Sequence, residues 1–119
     1  MLNLDTHILL FALSGSLSER EQWLLRNNRW SISVIVLWEL AKLFQLGRIA
    51  VDPCSAEFRS AVSRVRIWPL DADVCCGIRK LDFRGDPADE IIAATSLVHD
   101  VPLVTRDRVL RESKKIPLA

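Results

Sequence analysis

Five carboxylates in this sequence sit in or beside apolar segments, and their types and spacing define the chemistry open to the chain. Asp5 follows Leu2-Asn3-Leu4. Glu39 is the only acid in SISVIVLWELAKL, over 31–43. Asp86 and Asp89 lie in GDPADEIIAAT, over 85–95, and Asp107 closes PLVTRD, over 102–107. Asp5, Glu39, Asp89 and Asp107 come from four separate segments. Gathered in one place, four carboxylates cannot all stay ionised: their pKa values rise, or a cation neutralises them. A donor set of oxygen alone, without cysteine or histidine, favours a hard cation, Mg²⁺ or Mn²⁺. Such an ion holds a phosphate oxygen, activates a water and steadies a leaving oxygen. That is the equipment of phosphodiester hydrolysis, and it needs no protein nucleophile. Thr6 and Thr105 stand beside two of these acids, where a hydroxyl can orient a carboxylate or bind an outer-shell water. Asp86, ahead of Pro87, reads as a helix N-cap rather than a direct ligand.

The acids need elements that bring them together. Met1 to Leu4 reads as a strand and His7 to Leu13 as a helix, broken at Ser14-Gly15-Ser16. Ser18 and Glu21 make a capping box for a helix through Asn27. Arg29 to Val34 is the next strand, with Trp30, Ile32 and Val34 alternating with serines. Leu37, Leu40, Ala41, Leu43 and Phe44 fit a helix that stops at Gly47. After Asp52-Pro53 come a helix over Ser55 to Val65, a strand over Val65 to Leu70, and a helix from Asp71 through Lys80. Asp82 to Gly85 is a loop. It leads to a helix capped at Asp86, ended by His99, Asp100 and Pro102. Then follow a strand over Pro102 to Thr105, a short helix through Lys114 and a last strand at Ile116 to Leu118. Strands alternating with helices imply α/β architecture, a parallel sheet covered by helices on both faces. Ligand sites in such folds lie outside the carboxyl ends of the strands. Asp5 and Asp107 each follow a strand, Glu39 lies early in a post-strand helix, and Asp89 lies one turn into another.

Composition narrows the classes. The 119 residues are expected to form one domain, 1–119, and half are hydrophobic, enough for a real core. Formal net charge is +1, so any affinity for a polyanion must be local. Arg106, Arg108, Arg111, Lys114 and Lys115 crowd the segment around Asp107. Arg106 and Arg108 are expected RNA contacts, with Lys42 and Arg48 added, because phosphate contacts dominate affinity. Lys42 is also spaced to pair with Glu39. Cys54, Cys75 and Cys76 have no metal-binding spacing and read as small residues in a reducing compartment. The start shows no basic signal region, and no apolar run approaches a membrane span. A cytoplasmic protein with no membrane association is the expectation. His7 reads as a helix-start residue turned away from Asp5, His99 as a surface group offsetting the helix dipole, and the four tryptophans as core or interface residues.

These motifs, taken in order, resemble the PIN domain, and within it the VapC toxins of bacterial toxin–antitoxin pairs. The resemblance is carried by Leu4-Asp5-Thr6-His7, by Ser33 and Trp38-Glu39-Leu40-Ala41 with Leu46-Gly47-Arg48, by Gly85-Asp86-Pro87-Ala88-Asp89 followed by Ile92-Ala93-Ala94-Thr95, and by Val104-Thr105-Arg106-Asp107. It covers nearly the whole chain. It implies a three-layer α/β/α sandwich with a central parallel sheet of four to five strands. It also implies a ribonuclease that uses Mg²⁺ or Mn²⁺ held by Asp5, Glu39, Asp89 and Asp107, with Asp86 and Thr105 as accessories. The implied substrate is RNA, often tRNA or ribosomal RNA, cut to leave a 5′-phosphate and a 3′-hydroxyl. Homodimers and a small antitoxin protein that blocks the site complete the family picture. Two positions depart from the pattern: Asp100 where glycine is usual, and Glu90 where arginine is common.

Three rival readings stand beside this one. A haloacid-dehalogenase-type phosphatase needs a second acid two residues after Asp5, where His7 stands. A receiver domain needs paired acids after the first strand and a lysine after a late one, and Thr105-Arg106-Asp107 offers none. The remaining alternative is a catalytically silent PIN-fold protein-interaction module.

Overall fold

The computed structural model describes residues 1–119. In chain order the elements are β1 (Leu2–Leu4), α1 (Thr6–Ser14), α2 (Glu19–Arg26), β2 (Trp30–Ser33), α3 (Val34–Gln45), α4 (Ala56–Ala61), β3 (Arg66–Trp68), α5 (Ala72–Gly77) followed by a 3₁₀ turn over Ile78–Lys80, α6 (Pro87–His99), β4 (Leu103–Val104) and α7 (Arg108–Glu112). The four strands form one sheet in the order β3-β2-β1-β4. Every pairing is parallel. Helices flank the sheet on both faces, as the α/β reading required. The first strand is therefore central, and its carboxyl end lies beside those of β2 and β4. Coverage on both faces also explains why, in the interior strand β2, Ser31 and Ser33 are as buried as Ile32 between them.

Local chemistry accounts for the ends of the elements. Ser18 and Glu21 form the full capping box on α2. Ser33 both ends β2 and caps α3, its hydroxyl accepting from the Ile35 amide at 3.2 Å. The helix thus starts at Val34, earlier than its strand-like opening residues suggest. Gly47, just past α3, adopts φ +70°, the left-handed turn that ends a helix without steric cost. Asp100 adopts φ 52° at the end of α6, so the residue that departs from the family's glycine occupies a left-handed position.

The core joins Leu2, Leu4, Ile8, Leu9, Ile32, Val36, Leu40, Ile92, Leu103 and Leu110 among others. Asn3 points from β1 into this interior, and its Nδ2 donates to the Ile92 carbonyl at 3.2 Å and to Ser96 Oγ at 2.9 Å. That bond pair seats α6 against the central strand. Gly77 lets α5 close on α6, since a Cβ there would lie 2.6 Å from Val98 Cγ2.

Several expectations need correction. The helix over 55–65 is only α4, because Val62-Ser63 favours helix weakly and the chain must straighten into β3. The last strand reduces to one bridge between Leu103 and Leu118, since Pro117 has no amide to donate. The sheet's four strands fall within the expected four to five. Trp23 and Trp38 are exposed while Trp68 is buried. His99 is not a free surface group: its ring stacks on Trp68 with centroids 4.0 Å apart. All three cysteines are exposed free thiols. No helix is long and apolar enough to cross a membrane.

Candidate active site

The carboxyl ends of β1, β2 and β4 open onto one cleft of 370 Å³. Asp5, Glu39, Asp86, Asp89 and Asp107 line it together with His7, Phe11 and Arg106. Each acid arrives by its own route. Asp5 leaves the central strand and caps α1, its Oδ1 accepting from the Thr6 amide at 2.8 Å. Glu39 sits midway along α3, half-buried. Asp89 occupies the third position of α6, where the helix dipole favours an acid. Asp107 follows β4 and caps α7 through the Leu110 amide at 3.2 Å. Asp86 holds the N-cap position of α6, yet its side chain makes no cap hydrogen bond and turns to the cleft. The sequence reading of Asp86 as a simple cap is corrected in that respect.

Two threonines hold the carboxylates in place. Thr6 Oγ1 donates to Glu39 Oε1 at 2.5 Å, and Thr105 Oγ1 donates to Asp5 Oδ2 at 2.5 Å. Thr105 Oγ1 also accepts from the Asp107 amide at 3.0 Å. The ends of β1 and β4 and the middle of α3 are thereby tied through hydroxyls. Asp5 is nearly inaccessible, with both oxygens engaged.

Crowding shows in the acidities. Burial pushes the Asp89 carboxyl up to about 6, and the charges of Asp5, Asp107, Glu39 and Asp86 push the same way. Burial also raises Glu39, against the Thr6 hydrogen bond, with Asp5 and Asp86 adding to the rise and His7 opposing it. Burial and like charge together disfavour ionisation, the condition that a cation relieves. The donors are carboxylate and hydroxyl oxygens, which suits Mg²⁺ or Mn²⁺ and not a thiophilic metal. As the side chains stand, however, no three of them are close enough to hold one ion together.

The expected basic rim is largely occupied by partners inside the chain. Arg106 donates through Nε to Glu21 Oε2 at 2.8 Å and through Nη2 to Glu21 Oε1 at 2.6 Å. Its guanidinium also lies 4.1 Å over the Phe11 ring. The Arg106 hydrogen bonds hold the Glu21 carboxyl down at about 2 despite burial. Lys42 donates to Gln45 at 3.1 Å rather than pairing with Glu39, which bonds Thr6 instead. Arg108 pairs with Glu112 at 3.0 Å on the exposed face of α7. Arg48 is not in the wall of the acidic cleft; it lines a neighbouring groove that shares His7 and Phe11 with it. His7 is exposed and lines the cleft, contrary to the expectation that it turns away from Asp5. The Glu21–Arg106 clamp escaped the sequence reading. The capping box accounted for Glu21 by itself, and nothing local points to a partner 85 residues away.

The structure is a parallel α/β sheet with an acidic cleft at the carboxyl ends of its strands. The PIN domain family matches residues 3–116, and the chain belongs to it. PIN domains are generally nucleases and typically use divalent metals. No curated protein matches the sequence. Among solved structures, the chain is similar to VapBC2 from Rickettsia felis bound to a DNA fragment from their promoter, at 21% identity and TM-score 0.71, covering 100% of this chain and 98% of that one. It is also similar to DNA-bound VapBC from Salmonella typhimurium, at 22% identity and TM-score 0.69, with 100% and 98% covered. A third likeness is to a toxin–antitoxin complex from Klebsiella pneumoniae, at 21% identity and TM-score 0.65, with 90% and 87% covered. At these identities the likeness speaks to the fold.

Proposed function

We propose that the chain is a metal-dependent endoribonuclease of the VapC type, the toxin of a toxin–antitoxin pair. One observation carries the reading: five carboxylates from four segments share a single cleft, where burial, with their mutual repulsion, lifts Asp89 to about 6. Asp5, Glu39, Asp89 and Asp107 are the residues that would hold Mg²⁺ or Mn²⁺, which requires them to turn inward from where they stand. When bound, such an ion supplies Lewis-acid polarisation of a phosphodiester and an activated water for its hydrolysis.

The protein's own part is to fix the acids. Asp5 is the anchor, because Thr6 and Thr105 hold both its oxygens. Thr6 restrains Glu39, and the Thr105 hydroxyl fixes the backbone at Asp107. Loss of such an outer partner typically costs roughly 10–100-fold in metal affinity. Asp86, at the same opening, adds negative charge and one further oxygen donor. The similar structures, two VapBC assemblies and one toxin–antitoxin complex, support a small antitoxin protein as partner. A homodimer is the assembly carried over from the same family.

The test is purified protein with total RNA and Mg²⁺, with and without chelator, beside Asp5→Ala and Asp5→Asn. Circular dichroism checks folding, since loss of an N-cap costs about 0.5–2 kcal/mol. Cleavage is expected only for the unaltered protein with metal. Cleavage that survives chelation or loss of Asp5 defeats the mechanism, and a folded protein with no cleavage of any RNA points to the silent interaction module. Capture of a small protein encoded beside the gene separates a toxin from a free-standing nuclease.

A further inference from the structure

We propose that a single RNA strand crosses the acidic cleft between two nucleotide subsites, Arg48 with His7 and Phe11 on one side and Arg84 with Phe83 on the other. This rests on the nucleolytic reading above and specifies the substrate path. The cleft alone is the wrong sign for a polyanion, with five carboxylates on its walls. Arg106 at its edge is neutralised by Glu21, and Lys42 and Arg108 have partners of their own. The cations that seat the strand must come from elsewhere.

Two cavities adjoin the cleft and supply them. The first, of 550 Å³, shares His7 and Phe11 with the cleft, runs along α1 past Leu10 and Ser14, and has Arg48 in its wall. The second, of 260 Å³, shares Asp86, Asp89 and Asp107 with the cleft and is closed by Phe83, Arg84 and Val109. The guanidinium groups of Arg48 and Arg84 are exposed and make no hydrogen bond or ion pair within the chain. The same pairing of chemistries therefore flanks the acids twice: an uncommitted arginine for a phosphate and an aromatic ring for a base, His7 on the α1 side, where Arg106 already covers one face of Phe11, and Phe83 on the other. Phosphate contacts supply affinity to single strands and aromatic faces stack bases without regard to sequence. A strand laid through both cavities places an intervening phosphodiester over the carboxylates. A duplex, whose bases are stacked on each other, has none to offer the rings.

The test measures binding of a short fluorescent single-stranded RNA against salt, with Ca²⁺ replacing Mg²⁺ to suppress turnover, and cleavage kinetics with Mg²⁺. Arg48→Gln and Arg84→Gln are compared with Arg64→Gln. Arg64 also makes no ion pair, but it lines a cavity with Arg29 at the opposite end of the strands. Each of the first two variants is expected to lower the magnitude of the log–log salt slope by ~0.7, the value of one phosphate contact to a single strand. KM should rise several-fold with kcat within about twofold, the pattern of lost uniform binding. The Arg64 variant should match the unaltered protein. Unchanged slopes for Arg48→Gln or Arg84→Gln, with cleavage intact, overturn the two-sided path and leave the nuclease reading standing. That is also the outcome if the groove beside α1 is covered by a protein segment or a second copy of the chain. The expected slopes without Mg²⁺-dependent cleavage sink the nuclease reading instead, and no binding by the unaltered protein overturns both.

Discussion

Replacing Asp89 with asparagine removes one negative charge from the crowded centre of the cleft while keeping the side chain's shape. Its carboxyl lies at about 6, against an ordinary value of 3.8. A folded-state pKa above the unfolded one means that stability is complete below about pH 4 and is lost as pH rises through about 6. Taken at full weight, a shift of this size is worth ~3 kcal/mol above neutrality. Asp89 is only partly buried, so solvent screening reduces this to ~1.5 kcal/mol. The asparagine also forgoes the acid's favourable interaction with the start of α6, ~0.3–1 kcal/mol. Asp89→Asn should therefore stabilise the metal-free protein by about 1 kcal/mol at mildly alkaline pH, roughly 3–5 °C in melting temperature for a chain of this size. Near pH 4 the gain should vanish. Thermal unfolding in chelator across this range reads the effect directly. Added Mg²⁺ should then reverse the order, because an ion that binds only the folded state stabilises it by mass action and Asp89→Asn weakens that binding. A variant less stable than the unaltered protein at alkaline pH in chelator, or a gain equal at both ends of the range, refutes the electrostatic account of the site.

Three further outcomes follow from the same geometry. Thr105→Val keeps the shape but strands Asp5 Oδ2 and the Asp107 amide; denaturant unfolding should show a loss of about 1–3 kcal/mol, and calorimetry a roughly 10–100-fold weaker affinity for Mg²⁺. Glu21→Gln replaces the partner of Arg106 by a neutral amide and should cost about 1–2 kcal/mol near neutrality. Because the Glu21 carboxyl is held at about 2, that cost should be present above its ordinary value and fade as pH falls towards 2, which acid titration of both proteins by circular dichroism checks. Asp100→Gly relieves a side chain held at φ 52° and should raise stability by about 0.5–1 kcal/mol in denaturant unfolding, since the left-handed region disfavours residues with a Cβ.

The amino-acid sequence by itself determined the fold class and the identity of the acids. Alternating helical and strand periods leave few options besides a parallel sheet, and carboxylates after strands in such a sheet must share its carboxyl edge. The capping box at Ser18 and Glu21 and the glycine after α3 are local devices, legible because the residues that interact are three or four apart. Tertiary structure decided the rest. Only the order β3-β2-β1-β4 sets β1 beside β4, so that Thr105 reaches Asp5 across 100 residues of chain. Only packing pairs Arg106 with Glu21 and Phe11 and leaves Arg48 and Arg84 without a partner inside the chain. A charge reads the same along the chain whether it is solvated, paired or poised, because its partner is set by distance in space, and long-range distance is what a linear pattern does not encode.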